Sequence, residues 1–187
     1  MPPGGDDATK IVRRRRTISL MTGCTSENKS LTLQHQKNVF MSTVNALYHI
    51  VINTYRRQMT IPANASEEMY RYIWGIIKNH NCVLYRIGGI ENHIHMLVHL
   101  HPDVSLSSLM RDIKQSSSKW AKKQPLFSGF AGWGKEYAAF SCSYSSKEVI
   151  VNYIKNQRTH HNRTTFENEF KEMVEKSGQA WNDYLLT

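Results

Sequence analysis

From Leu47 onward the chain alternates between blocks of period two and blocks of period about 3.6, and these blocks define its elements. Leu47-Tyr48-His49-Ile50-Val51-Ile52 is rich in aromatic and β-branched residues and predicts a strand. After a loop through Pro62 and Asn64, Ser66 precedes Glu67 and Glu68, the pattern of an N-cap with acids in the first turn. Met69, Ile73, Ile76 and Ile77 share one helical face, so a helix is predicted from Ser66 to about Asn79. Cys82–Ile87 predicts a second strand ended by Gly88-Gly89. His93–Leu100 predicts a third, with the Gly88–Asn92 region as the hairpin turn. Ser105 starts a helix with Leu106, Leu109, Met110, Ile113 and Trp120 on one face. Gly129, Gly132 and Gly134 mark a long loop before a fourth strand at Tyr137–Ser143. Ser145 or Ser146 caps a helix from Lys147 to about His161, and the charged amphipathic stretch Thr164–Leu185 adds a last one. The order β-α-β-β-α-β-α predicts an α+β fold: a four-stranded antiparallel sheet with helices on one face.

Residues 1–40 differ. They hold Pro2, Pro3, Gly4, Gly5, the Arg13–Arg16 block and a polar stretch to Asn38, with no sustained period. They read as a leader without stable structure, or an extension ahead of a native start at Met41, with 41–187 forming a single domain. Arg13–Arg16 is either a nucleic-acid arm or a solvated tail.

Composition sharpens this picture in three ways. The formal net charge is +9, divided between 1–40 (+4) and 41–187 (+5), so the basic excess survives without the leader. Such an excess points to a polyanionic partner, usually nucleic acid. No apolar run reaches the roughly 18 residues a membrane helix needs, and no secretory signal is visible, which favours a soluble, cytoplasmic protein. Three dispersed cysteines, Cys24, Cys82 and Cys142, speak against a disulfide framework or a zinc–cysteine site.

Two motifs carry candidate chemistry. In Glu91-Asn92-His93-Ile94-His95-Met96-Leu97-Val98, residues two apart on a strand point to one face, so His93 and His95 present paired imidazoles that can chelate a divalent metal. His99 and His101 continue the parity. The second motif, Tyr153-Ile154-Lys155-Asn156-Gln157, places Tyr153 and Gln157 one helical turn apart. A tyrosine oxygen suits phosphoryl transfer, because the phosphotyrosine product conserves the energy of the broken bond. A phenol of pKa about 10 needs a nearby metal or base to lose its proton. Asn92, His160 and His161 are further residues that could support such a site. Either histidine of the last pair could equally serve as a cation at a helix C-terminus. On the helix after Ser105, Arg111, Lys114, Lys119 and Lys122 are candidate phosphate contacts for DNA.

Together these parts resemble the single-tyrosine HUH transposases, the small IS200-like enzymes of insertion sequences that move as single-stranded DNA. The resemblance spans about Leu47 to Arg163. It rests on Tyr48-His49-Ile50-Val51, His93-Ile94-His95, the helix bearing Lys114, Ser117 and Trp120, Trp133 with Tyr137-Ala138-Ala139-Phe140-Ser141, and Tyr153-Ile154-Lys155-Asn156-Gln157 followed by His160-His161. It implies a ferredoxin-like or RRM-like HUH fold. It implies Mg²⁺ or Mn²⁺ held by His93, His95 and Gln157, with Tyr153 as the nucleophile. Cleavage next to a DNA hairpin would leave a 5′-phosphotyrosine and a free 3′-OH. A homodimer is also implied, with the tyrosine helix acting in cis or in trans. Family members often have an acid just before the first histidine; this chain has Asn92 there and Glu91 one earlier, so the support of the histidines is expected to differ. The rival readings are a domesticated HUH endonuclease acting on chromosomal repeats, and a non-catalytic nucleic-acid binder using Tyr48, Tyr85 and Phe140 as stacking platforms. A two-histidine phosphoesterase would need a second His-x-Ser/Thr motif, which His93-Ile94-His95 lacks.

Overall fold

The computed structural model describes residues 43–161 and 163–181. The leader 1–40, its Arg13–Arg16 block and Met41 lie outside the described residues. Four strands, β1 (Leu47–Asn53), β2 (Val83–Ile90), β3 (His93–His99) and β4 (Ala138–Ser141), alternate with helices α1 (Ser66–Asn79) and α2 (Leu106–Ala121). Helices α3 (Lys147–Lys155), α4 (Gln157–His161) and α5 (Phe166–Lys176) follow. The strands pair antiparallel in the order β2-β3-β1-β4, so the strand with the paired histidines is central and bonded on both sides. The expected α+β sheet is therefore present. Its core lies on one face: Ile50, Ile52, Ile94, Met96 and Val98 meet Met69, Ile73 and Ile77 of α1 and Leu109, Met110 and Ile113 of α2. Burying each such side chain contributes roughly 1.5–3 kcal/mol.

The expectation of helices on one face holds for α1 and α2. The C-terminal helices add a layer on the other face, where Ile154 of α3 packs on Leu47 and Leu97. Strand parity explains the division. Leu47 and His49 of β1 share a face, as do His93, His95 and Leu97 of β3, while the intervening residues enter the main core.

Three local expectations need correction. Gly88 and Gly89 are not in the hairpin turn; β2 runs through them, Gly88 opposite His95 and Gly89 opposite Ile94, and the turn is Glu91-Asn92 alone. The reason is close approach rather than turning: a Cβ on Gly88 would sit 2.7 Å from the Ile154 carbonyl oxygen, so the bare strand lets α3 lie directly on it. The helix expected from Lys147 to about His161 breaks at Asn156 (φ −97°, ψ 14°), leaving Tyr153 at the end of one helix and Gln157 at the start of the next. Ser66 is the first residue of α1 and not its cap, with its hydroxyl donating to the Ala63 carbonyl at 3.1 Å. Ser105 does cap α2, its Oγ accepting from the Ser108 amide at 3.2 Å. Among the described residues no helix is long and apolar enough to cross a membrane.

Candidate active site

His93 and His95 are wholly buried on β3 and open onto the face under α3–α5. Each is oriented from behind. Asn92 Oδ1 accepts from His93 Nδ1 at 2.7 Å, which leaves the lone pair of His93 on Nε2, toward the site. His95 Nδ1 lies 3.0 Å from His49 Nε2 on the neighbouring strand, and His95 Nε2 points inward without a hydrogen-bond partner. Burial, reinforced by the neighbouring His95, pushes His93 well below the ordinary histidine pKa; the same two causes bring His49 down to about 3. Neutral imidazoles are the form that binds a metal.

The other half of the site comes from the C-terminal helices and centres on Glu169 of α5, a carboxylate only 2% exposed. The Tyr153 hydroxyl donates to Glu169 Oε1, and Gln157 Nε2 donates to the same oxygen at 2.8 Å. Glu169 Oε2 lies 3.0 Å from His161 Nε2 and 3.6 Å from His93 Nε2, while Oε1 lies 3.6 Å from His95 Nε2. Burial opposes ionisation of this carboxyl, but the neighbouring His161, His95 and Tyr153 side chains outweigh it and hold the group far below the usual carboxylate range. Tyr153 moves the other way: burial, then its bond to the Glu169 carboxylate, raises the phenol above its ordinary value, so it is protonated at rest.

His93, His95, His161 and Glu169 offer ligand atoms that all lie within 4.8 Å of one another. His95 Nε2, Gln157 Oε1, His160 Nε2 and Glu169 Oε2 are buried without hydrogen-bond partners. Unpaired buried polar atoms are costly, and several concentrated at one point match the donor set of a cation. The residues present therefore fit a divalent metal.

The geometry brings together Asn92, His93, His95, Tyr153, Gln157, His160 and His161. It does not bring in His99, whose Nε2 lies 3.1 Å from the Val44 carbonyl, nor His101 beside Asp103. The basic residues of α2 stand across the sheet, on the layer that covers the other face. Arg111, Lys119 and Lys122 are exposed there. Lys114 is half-buried and donates to the carbonyl of Lys135 at 2.6 Å, tying down the segment before β4. Sequence reasoning missed two residues. His49 was in view as part of a strand, and its parity with Leu47 could have marked it as facing the site. Glu169 lies in the charged tail, where no spacing relates it to Tyr153.

Two openings reach this face. A cleft of about 540 Å³ exposes Tyr153 between Asn152, Asn156 and Arg163. A larger groove of about 930 Å³ runs along β4, with Tyr55, Arg56, Arg57, Tyr137, Phe140 and Phe166 on its walls. Just past β1, Arg56 and Arg57 both take left-handed backbone conformations (φ 52° and 55°), which are uncommon for residues other than glycine; Arg56 lies over the Tyr55 ring and Arg57 pairs with Glu167.

Comparison with known proteins places this geometry in context. Residues 42–157 match the family model described as Transposase IS200 like. A protein from Deinococcus radiodurans R1, assigned as a transposase, aligns at 19% identity with a TM-score of 0.47, over 62% of this chain and 93% of its own. A REP-associated tyrosine transposase solved bound to a REP hairpin aligns at 15% identity with a TM-score of 0.51, over 66% of this chain and 76% of its own. That likeness is one of fold. Among curated proteins none matches the chain.

Proposed function

The chain belongs to the IS200-like transposase family, and from that premise we propose that it cuts and rejoins single-stranded DNA beside hairpins through a covalent bond to Tyr153. The observation that carries this reading is the convergence of the Tyr153 hydroxyl and the Gln157 amide on a buried carboxylate, next to two imidazoles with inward lone pairs. His93, His95 and Gln157 would hold Mg²⁺ or Mn²⁺, which when bound would supply positive charge beside the scissile phosphate and the tyrosine oxygen.

The protein's own residues do the rest. The Tyr153 oxygen attacks phosphorus, an O–P bond to tyrosine forms, and the bond to the departing 3′ oxygen breaks. The phenol proton passes to Glu169, which already accepts its hydrogen bond, and Glu169 hands that proton on to the departing 3′ oxygen, which leaves as a hydroxyl while the carboxylate is restored. Asn92 and His49 keep the two imidazoles in the tautomer that faces the phosphate. Rejoining is the reverse attack by a 3′-OH on the 5′-phosphotyrosine.

The single strand lies in the groove along β4, stacking on its aromatic walls with Arg56 and Arg57 on its phosphates. Arg111, Lys119 and Lys122 contact phosphates of the hairpin from α2, and Lys114 shapes the groove wall through the Lys135 carbonyl. The neighbour solved with a REP hairpin supports a hairpin as the substrate class. The functional unit is a homodimer.

The test is a suicide single-stranded substrate carrying a hairpin. The unsubstituted protein is expected to gain the mass of the DNA fragment on Tyr153. Tyr153→Phe, which removes one oxygen, should bind DNA but form no adduct. An adduct mapped to another tyrosine would disprove the assignment, and DNA binding with no adduct in either protein would favour a non-catalytic binder.

A further inference from the structure

We infer that Glu169 is itself a ligand of the divalent ion, so that ion binding fastens α5 over the tyrosine. The inference rests on the metal reading above, and it adds a residue that lies beyond the family-matched segment, which ends at residue 157.

A carboxylate this deep requires compensating positive charge. Among the described residues every ion-pair partner of Glu169 is a histidine: His93, His95, His160 and His161. Among the described residues no lysine or arginine pairs with it to supply a fixed charge. At the same time Glu169 Oε2 faces His161 Nε2 at 3.0 Å and His93 Nε2 at 3.6 Å, with the unpartnered His95 Nε2 and Gln157 Oε1 in the same enclosure. A cation at the centre of these atoms satisfies all of them. The chemistry agrees: Mg²⁺ and Mn²⁺ favour hard anionic oxygen, which two imidazoles and an amide lack and a carboxylate provides.

The consequence for α5 follows from its contacts with the sheet. Its inward face is Glu169, Phe170 and Val174, with the Phe166 ring 4.5 Å from that of His93. The Arg57–Glu167 pair at its start is solvent-exposed and adds little. An ion held by both β3 and Glu169 therefore adds to the docking of α5.

The test uses the full chain, with Mn²⁺ as the probe. Calorimetry is done on the unsubstituted protein, on H93A and on E169Q, which removes the charge but keeps the shape. Amide exchange over 166–176 is followed with and without Mn²⁺. We expect H93A to abolish binding, E169Q to weaken it by on the order of tenfold or more, and Mn²⁺ to slow exchange in α5 of the unsubstituted protein but not of E169Q. Unchanged Mn²⁺ affinity in E169Q, with H93A still inactive in binding, would overturn the role of Glu169 and leave the metal reading intact. Tighter binding or faster cleavage by E169Q would mark Glu169 as a plug and likewise overturn it. No Mn²⁺ binding by the unsubstituted protein would remove the metal reading itself. Should E169Q fail to fold, the exchange experiment on the unsubstituted protein decides: protection of α5 by Mn²⁺ supports the inference, and its absence refutes it.

Discussion

His49 brings no ligand atom to the site, yet it governs which nitrogen of His95 faces it. That service has a thermodynamic signature. In the unfolded chain His49 takes up a proton near its ordinary pKa of 6.5, but in the folded chain only at about 3, and His93 is depressed in the same sense. Above pH 6.5 neither state holds the extra proton and the stability is complete. As the pH falls from there toward 3, the unfolded state binds protons that the native state refuses, and stability drops by up to about 1.4 kcal/mol per pH unit for each such proton. Glu169, held below its unfolded value of 4.5, acts in the same direction as the pH falls below that value. Urea unfolding of the metal-free protein should therefore show stability falling steeply with acidification, and His49→Gln should flatten that slope. An equal slope in both would mean that His49 is not held neutral by the fold.

At the scale of elements, the position of Tyr153, the proposed nucleophile, depends on a missing side chain. Gly88 lets the backbone of Ile154, the residue after Tyr153, rest on β2. Gly88→Ala sets a methyl 2.7 Å from that carbonyl, and backbone cannot yield as a flexible side chain would. A loss of about 1–3 kcal/mol is expected, together with a fall in cleavage larger than the stability change explains, because Tyr153 moves with the helix. Gly75→Ala makes a useful control: that glycine lies within α1 with nothing within 4 Å of the added carbon, and helix propensity should raise stability by about 0.5–1 kcal/mol. Denaturation midpoints and cleavage rates for the two variants check both signs; a harmless Gly88→Ala would show that α3 is not seated as described.

This pair also shows what was legible in the sequence. Strands, helices and the His93–His95 pair follow from periodicity, which reports burial directly. Gly88-Gly89 misled, because glycine permits both turning and close approach, and only the third dimension separates the two uses. The helix break at Asn156 left no mark in the apolar pattern. Glu169 was hidden for a deeper reason: it joins the site by tertiary packing across a loop, and a charged residue in a polar tail looks like any solvated surface.

For the whole molecule, the arrangement of Tyr153 bears on the two modes of assembly that the sequence left open. Here Tyr153 and the histidines of one chain meet, with the ring centroids of Tyr153 and His95 5.8 Å apart. Subunits of a dimer built this way each carry a whole site. A mixture of His95→Ala and Tyr153→Phe proteins, with exchange between subunits verified, should then cleave no hairpin substrate. Recovery of activity would show that the helix serves the partner subunit's histidines instead.

The sheet order β2-β3-β1-β4 also has a meaning in time. Residues 47–99 contain three of the four strands and both histidines, whereas the tyrosine and Glu169 come from the last third of the chain. During synthesis the ribosome thus delivers the imidazole pair long before the nucleophile. A nascent chain carries the imidazole pair without Tyr153 and Glu169, and on the proposed mechanism it gains cleaving power only once the final helices are made.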